Sequence, residues 1–214
     1  MSAPRPPPDR SCPPWVLCNP LRRWRAPPSQ ILAGGGPGPG ETVADVGSGP
    51  GTFLPELVRR VGPTGSVVAV EIDPRAVARA REELRGDPLV DRIRWIPGSA
   101  SEMRGIPDAS VDFVLAYGLL CCLVDKDGAV DSIYRILRPG GRALFNFHCL
   151  DPPIGQRSRA LRMSTGRWER LRARHPWEPA AKATGRWIRT ECLRKPSGEP
   201  APPPNRPDDR TVPP

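Results

Sequence analysis

Between Glu41 and His148, short β-branched runs alternate with longer segments of helical period. Few architectures accept that alternation, because strands joined by helices pair in parallel and must bury both faces of one sheet. The first run, 42–46, breaks at Gly47-Ser48-Gly49-Pro50-Gly51. Helical spacing then places Phe53, Leu54, Leu57, Val58 and Val61 on one face, with the helix expected over 52–60 and stopped by Gly62-Pro63-Thr64-Gly65. The run 67–71 is apolar until its last residue, as a strand covered on both faces requires. Asp73 and Pro74 form a cap and first turn for a helix reaching about Arg85. Strands three and four are expected at 93–96 and 111–116, a helix from about Lys126 to Leu137 ending at Pro139-Gly140-Gly141, and strand five at 142–148. Since crossover connections are right-handed, these five units predict an α/β fold with a doubly wound, mostly parallel sheet and helices on both faces.

The chain has 214 residues, room for one ordinary domain and tails. Its 31 prolines, about three times ordinary usage, concentrate at the ends. We therefore expect a proline-rich tail over 1–18, a domain with a helical lead-in over 19–148, a basic extension over 149–195 holding a residual strand, and a disordered tail over 196–214. The net charge of +9 is uneven: residues 1–150 carry +2 and residues 151–214 carry +7. A nearly neutral core and a basic, apolar-poor end disfavour a nucleic-acid partner and suit a solvated tail. Cys12, Cys18, Cys121, Cys122, Cys149 and Cys192 form no CxxC pair, so no metal site is expected. With no apolar stretch approaching 18 residues, no transmembrane segment is expected, and free thiols suit a reducing, cytoplasmic setting.

The glycine turn brings backbone close to a ligand, and Glu71, 20 residues after Gly51 at the next strand tip, can accept both hydroxyls of a ribose. Dinucleotide binders want G-x-G-x-x-G, but counting from Gly47 and Gly49 the third glycine would fall at Thr52. The spacing present is D-x-G-x-G-x-G, led by Asp45. An acid there suits a cofactor carrying an ammonium and no phosphate, which favours S-adenosylmethionine over a dinucleotide or an unliganded structural turn.

The stretches TVADVGSGPGTF, VVAVEIDP, IPDASVDFVLAYGLL and IYRILRPGGRALF resemble, in order and spacing, the successive motifs of class I methyltransferases of the small-molecule type, the group that includes the ubiquinone and menaquinone biosynthesis methyltransferases. That resemblance implies a Rossmann-like fold, S-adenosylmethionine as cofactor and a small-molecule methyl acceptor. It places Asp45, Gly47, Gly49 and Gly51 around the methionine part of the cofactor, Glu71 at the ribose, Ile72 against the adenine, and Ser48, Ser99, Ala100 and Ala116 in the remainder of the cofactor site.

Three departures stand out. Where the family commonly has an acid before an alanine after strand three, the chain reads Gly98-Ser99-Ala100. After strand four it reads Leu119-Leu120-Cys121-Cys122, a pair that suits core thiols better than a substrate- or metal-binding dithiol, since adjacent residues point in different directions. Beyond 150 only 187–193 reads as a strand, so the antiparallel part that usually closes the sheet is expected to be reduced or degenerate. Methyl transfer needs alignment and exclusion of water more than acid–base help, and Tyr117 and His148, at strand tips, are the candidates for shaping the acceptor pocket. A catalytically impaired interaction module and, less favoured, an RNA methyltransferase are the alternatives. Neither the acceptor nor the oligomeric state follows from the sequence.

Overall fold

A computed structural model describes residues 27–88, 90–123, 125–148, 163–184 and 188–198. The proline-rich tail expected over 1–18, Cys12, Cys18, Cys149, Trp187 and nearly all of the tail expected over 196–214 lie outside the described residues. In chain order the elements are α1 (Pro28–Ile31) and a 3-10 turn (Leu32–Gly34), β1 (Thr42–Val46), α2 (Leu54–Val61), β2 (Ser66–Glu71), α3 (Pro74–Glu83), a second 3-10 turn (Val90–Arg92), β3 (Ile93–Pro97), β4 (Val111–Tyr117), α4 (Lys126–Ile136), β5 (Leu137–His148), α5 (Thr165–Arg172), β6 (Glu178–Thr184) and β7 (Ile188–Arg194).

The seven strands form one sheet in the order β3-β2-β1-β4-β5-β7-β6. The first five pair in parallel, whereas β7 runs antiparallel to β5 and β6 antiparallel to β7. The strand order reverses between β1 and β4, and at such a switch point the connections leave in opposite directions and open a crevice at the carboxyl edge.

Alternation along the strands divides the core in two. Ala44, Val46, Val114, Ala116, Phe145 and Phe147 pack toward α4 and α5. Val43, Val67, Ala69, Phe113, Leu115 and Leu144 pack in the cluster that holds Leu54, Leu57, Val58 and Val61 of α2. Local chemistry supports each helix. Asp73 caps α3 by accepting from the Arg75 N–H at 2.9 Å, and Asp125 caps α4 from the Gly128 N–H at 2.9 Å. Glu56 in the first turn of α2 and Arg59 and Arg60 in its last complement the helix dipole.

Two expectations differ from the structure. The Pro139-Gly140-Gly141 stretch does not end a helix but lies inside β5, where Gly140 N–H donates to Lys195 O and Lys195 N–H to Gly141 O, both at 2.9 Å. The closing antiparallel part is also not degenerate: α5, β6 and β7 complete the sheet. Trp168 of α5 is fully buried against Phe145 and Phe147, with ring centroids 5.0 and 4.9 Å away, and its Nε1–H donates to Glu191 Oε2 of β7 at 2.9 Å. An eight-residue helix with only Trp168 and Leu171 buried gives little periodic signal, and the Glu-Pro-Ala-Ala-Lys-Ala-Thr run of β6 has few β-formers and a proline. That strand forms because β7 templates it, with a register shift between Pro179 and Ala181, at an edge where proline is tolerated.

Trp168→Ala is expected to cost about 3–5 kcal/mol, since it leaves a large cavity and removes a hydrogen-bond donor to the buried Glu191 carboxylate. Denaturant unfolding measures it, and a change below about 1 kcal/mol would show that α5 does not anchor the sheet's end.

Candidate active site

Three neighbouring strand tips and the loops that leave them build the site. After β1 the chain turns through Gly47, Gly49 and Gly51, with φ of 74°, 53° and 80°. The left-handed conformation at every second residue explains the glycine spacing, since side chains pay a steric penalty there. The roles of the glycines differ. A Cβ on Gly47 would lie 2.7 Å from Leu119 Cδ1, in the loop after β4, whereas one on Gly51 would meet Ala80 of α3 at 3.0 Å and Leu54 of α2 at 3.1 Å. Gly51 thus lets two helices close on the turn.

Glu71, buried at the tip of β2, organises the loops. Its Oε2 accepts the Gly49 N–H at 2.8 Å, and its Oε1 accepts the Ile72 and Asp73 N–H groups, each at 3.0 Å. The Gly47 and Ser48 N–H groups meanwhile bond Val70 O at 2.8 and 3.1 Å. Backbone bonds to Val70 and the Glu71 carboxylate therefore pin the glycine turn to β2 together.

Beside this carboxylate sits a second. Asp45 is 2% exposed, and its Oδ2 has no hydrogen-bond partner; nor does the buried Ser48 Oγ. Burial first, and then the charge of Glu71, push the Asp45 carboxyl up from 3.8 to about 8. Unpartnered buried polar atoms are costly, and here two of them accompany a pair of acids. A cationic hydrogen-bond donor would relieve that cost.

The remaining sequence-predicted residues fall around this centre. Ile72 is 41% exposed, an apolar side chain open to solvent directly after Glu71. Gly98 N–H donates to Glu71 O at 3.0 Å, which brings the Ser99-Ala100 turn alongside, with Ser99 Oγ engaged to Ser101 Oγ at 2.8 Å. Ala100 is nearly buried, and Ala116 is fully buried in the core beneath the edge. Tyr117 ends β4 with its ring 4.6 Å from Phe53 at 49°. His148 ends β5 opposite Ile188. Cys121 and Cys122 are half-buried rather than core thiols, and their Sγ atoms lie 4.0 Å apart.

Sequence reasoning missed three contributors. Leu119 fills the space above Gly47. Phe53 faces Tyr117 as well as its own helix. Asn146 links strands β4, β5 and β7 through its carbonyl to Gly118 N–H at 2.7 Å and its Nδ2–H to Thr190 Oγ1 at 2.7 Å. Of these only Phe53, two residues after Gly51, carried a usable signal. Among the described residues no group of three or more His, Cys, Asp or Glu side chains converges to hold a metal, and no helix is long and apolar enough to cross a membrane.

Gly47→Ala is expected to destabilise the protein by about 1–3 kcal/mol through backbone strain and the Leu119 contact. Combined with Leu119→Ala the loss should be less than additive in thermal or denaturant unfolding. Strict additivity would show that the two loops do not press on each other.

The chain is similar to known proteins in sequence and in fold. Residues 44–145 match the family described as "Methyltransferase domain". The chain is 35% identical over 116 residues to the ubiquinone/menaquinone biosynthesis C-methyltransferase UbiE of Pasteurella multocida, covering 53% of this chain and 43% of that protein, and 36% identical over 106 residues to UbiE of Escherichia coli O1:K1 / APEC, covering 49% and 41%. The chain thus spans less than half the length of the curated relatives it matches. Among solved structures, a SAM-dependent methyltransferase from Aquifex aeolicus superposes with a TM-score of 0.70 at 20% identity, covering 84% of this chain and 95% of that one. Geranyl diphosphate methyltransferase, in complex with GPP and sinefungin, gives 0.67 at 17% identity, covering 84% and 80%. The [4+2]-cyclase SpnF gives 0.65 at 18%, covering 80% and 81%, so the fold by itself does not name the reaction. In motifs, strand order and relatives the chain is similar to class I methyltransferases of the S-adenosylmethionine-dependent group.

Proposed function

We propose that this protein transfers a methyl group from S-adenosylmethionine to a small-molecule acceptor. The observation that carries the reading is the buried, unpartnered Asp45 Oδ2 next to Ser48 Oγ and the glycine turn. When bound, S-adenosylmethionine supplies an electrophilic methyl on a sulfonium and an ammonium on its methionine part. Asp45 and Ser48 would hold that ammonium end, with the backbone of Gly47, Gly49 and Gly51 alongside. Glu71, already fixed by three N–H groups, would accept from the ribose hydroxyls with its remaining lone pairs. Ile72 would cover one adenine face, while Ser99 and Ala100 would flank its edge and Ala116 would floor the pocket. Because Ser99 offers a hydroxyl in place of a carboxylate, the adenine would be held more weakly, by about 1 kcal/mol.

Tyr117 and His148, at the tips of β4 and β5, would shape the acceptor pocket. The domain's part is alignment and exclusion of water, which suit an acceptor that is already nucleophilic. The similarity to UbiE C-methyltransferases supports a small-molecule acceptor. The complete sheet end, with α5, β6 and β7 in place, removes the main ground for an impaired module.

Two substitutions test the site. In the folded protein Asp45 keeps a proton that the unfolded chain loses at 3.8, so its contribution to stability falls as pH rises from 3.8 through about 8. Asp45→Asn should therefore raise the melting temperature of the ligand-free protein at pH 8, by a stability gain on the order of 2 kcal/mol, and weaken S-adenosylmethionine binding by a similar amount. A variant that binds as tightly as wild type in calorimetry removes Asp45 from the site. Wild-type binding at pH 7 should also release protons, seen as a dependence of the heat on buffer ionisation enthalpy that the Asn variant lacks.

Glu71→Gln should weaken binding by about 2 kcal/mol, because charge-assisted bonds to the ribose become neutral ones. Unchanged affinity would overturn its assignment. A radiolabelled methyl screen over metabolite pools tests the transfer itself, and cofactor binding without turnover on any acceptor would count against it.

A further inference from the structure

The Asp45–Glu71 pocket leaves unexplained the two thiols in the turn after β4. Cys121 and Cys122 are half-buried, unjoined by a disulfide, and set with Sγ atoms 4.0 Å apart. Adjacent residues ordinarily diverge, so this convergence has a local cause. Gly118 at φ 66° and the Cys122 N–H bond to Leu119 O at 2.9 Å fold the segment tightly, and the Cys121 thiol donates to Gly118 O at 3.0 Å. Leu120, fully buried, and Leu123, at 5%, anchor the turn on both sides. The pair is held before any ligand arrives, which lowers the entropy cost of chelation.

The separation selects the chemistry. With metal–sulfur bonds of about 2.3 Å, two thiolates at a tetrahedral angle lie about 3.8 Å apart, and a linear arrangement needs about 4.6 Å. The observed spacing suits an angular dithiolate. A soft centre that binds through two sulfurs fits thiolates placed in this way.

We propose that Cys121 and Cys122 form a dithiol site for a soft, thiophilic centre with two valences open to sulfur, of the trivalent organoarsenical class. With phenylarsine oxide as the probe, two sulfur–arsenic bonds form and the arsenic–oxygen bond breaks. The oxygen leaves as water with both thiol protons, and arsenic stays trivalent.

The test uses the full, reduced chain titrated with phenylarsine oxide and followed by intact mass. The expected result is one phenylarsenic per chain at low concentration with loss of two titratable thiols, reversed by a dithiol but not by the same concentration of a monothiol. After the remaining thiols are alkylated, the tryptic peptide 105–126, which holds Cys121 and Cys122 and no other cysteine, should be the protected one. Cys121→Ser and Cys122→Ser should each weaken binding by about 100-fold, the loss of a chelate's effective concentration. The doubly alanine-substituted chain, with folding checked by its melting temperature, should behave alike. Addition at one thiol only, protection of a different cysteine peptide, or unchanged affinity in either serine variant would overturn the site.

Discussion

The carboxylate of Glu71 is the fixed point of this molecule's functional edge. One oxygen holds the Gly49 N–H across from β2, and the other holds the two N–H groups that start the next loop. Three charge-assisted bonds to backbone make a stiffer junction than side-chain packing does, because they fix main-chain positions directly. The glycine turn then has one conformation, Gly51 lets α2 and α3 approach, and Asp45 is left buried beneath it. Without that junction the turn would be tied to β2 through Val70 O and not through its Gly49 N–H.

Stiffness there has an electrostatic cost. Two buried acids lie close together, and the domain tolerates them because burial and the charge of Glu71 favour the protonated form of Asp45. The site is therefore strained toward a cation, and stability given up at Asp45 becomes affinity when positive charge arrives. Such local destabilisation is found where binding has to be selective for charge.

Much of this was legible in the sequence because the responsible signals are local. Asp73-Pro74 caps a helix wherever it occurs, the glycines at 47, 49 and 51 each occupy the left-handed region, and the acid at position 71 ends an apolar strand. What escaped depends on tertiary context. The β6 strand has poor intrinsic propensity and exists only against β7, and Trp168 shows no period yet is among the largest fully buried side chains. The two cysteines were misplaced for the same reason: their convergence depends on the φ of Gly118 and on the buried leucines around them, which spacing cannot reveal.

The course of β7 also bears on how the chain reaches its fold. The strand runs beside β5 from Ile188 opposite His148 to Arg194 opposite Arg142, and Lys195 then closes onto the Gly140-Gly141 corner. During synthesis from the N-terminus, the five parallel strands emerge first, and the outer edge of β5 stays unpaired until 188–195 follows. The nascent domain thus carries an open, apolar strand edge for the time it takes to make the intervening segment, a period in which pairing with another chain competes with completion. Its assembly is committed late, by the last of the described strands to be made.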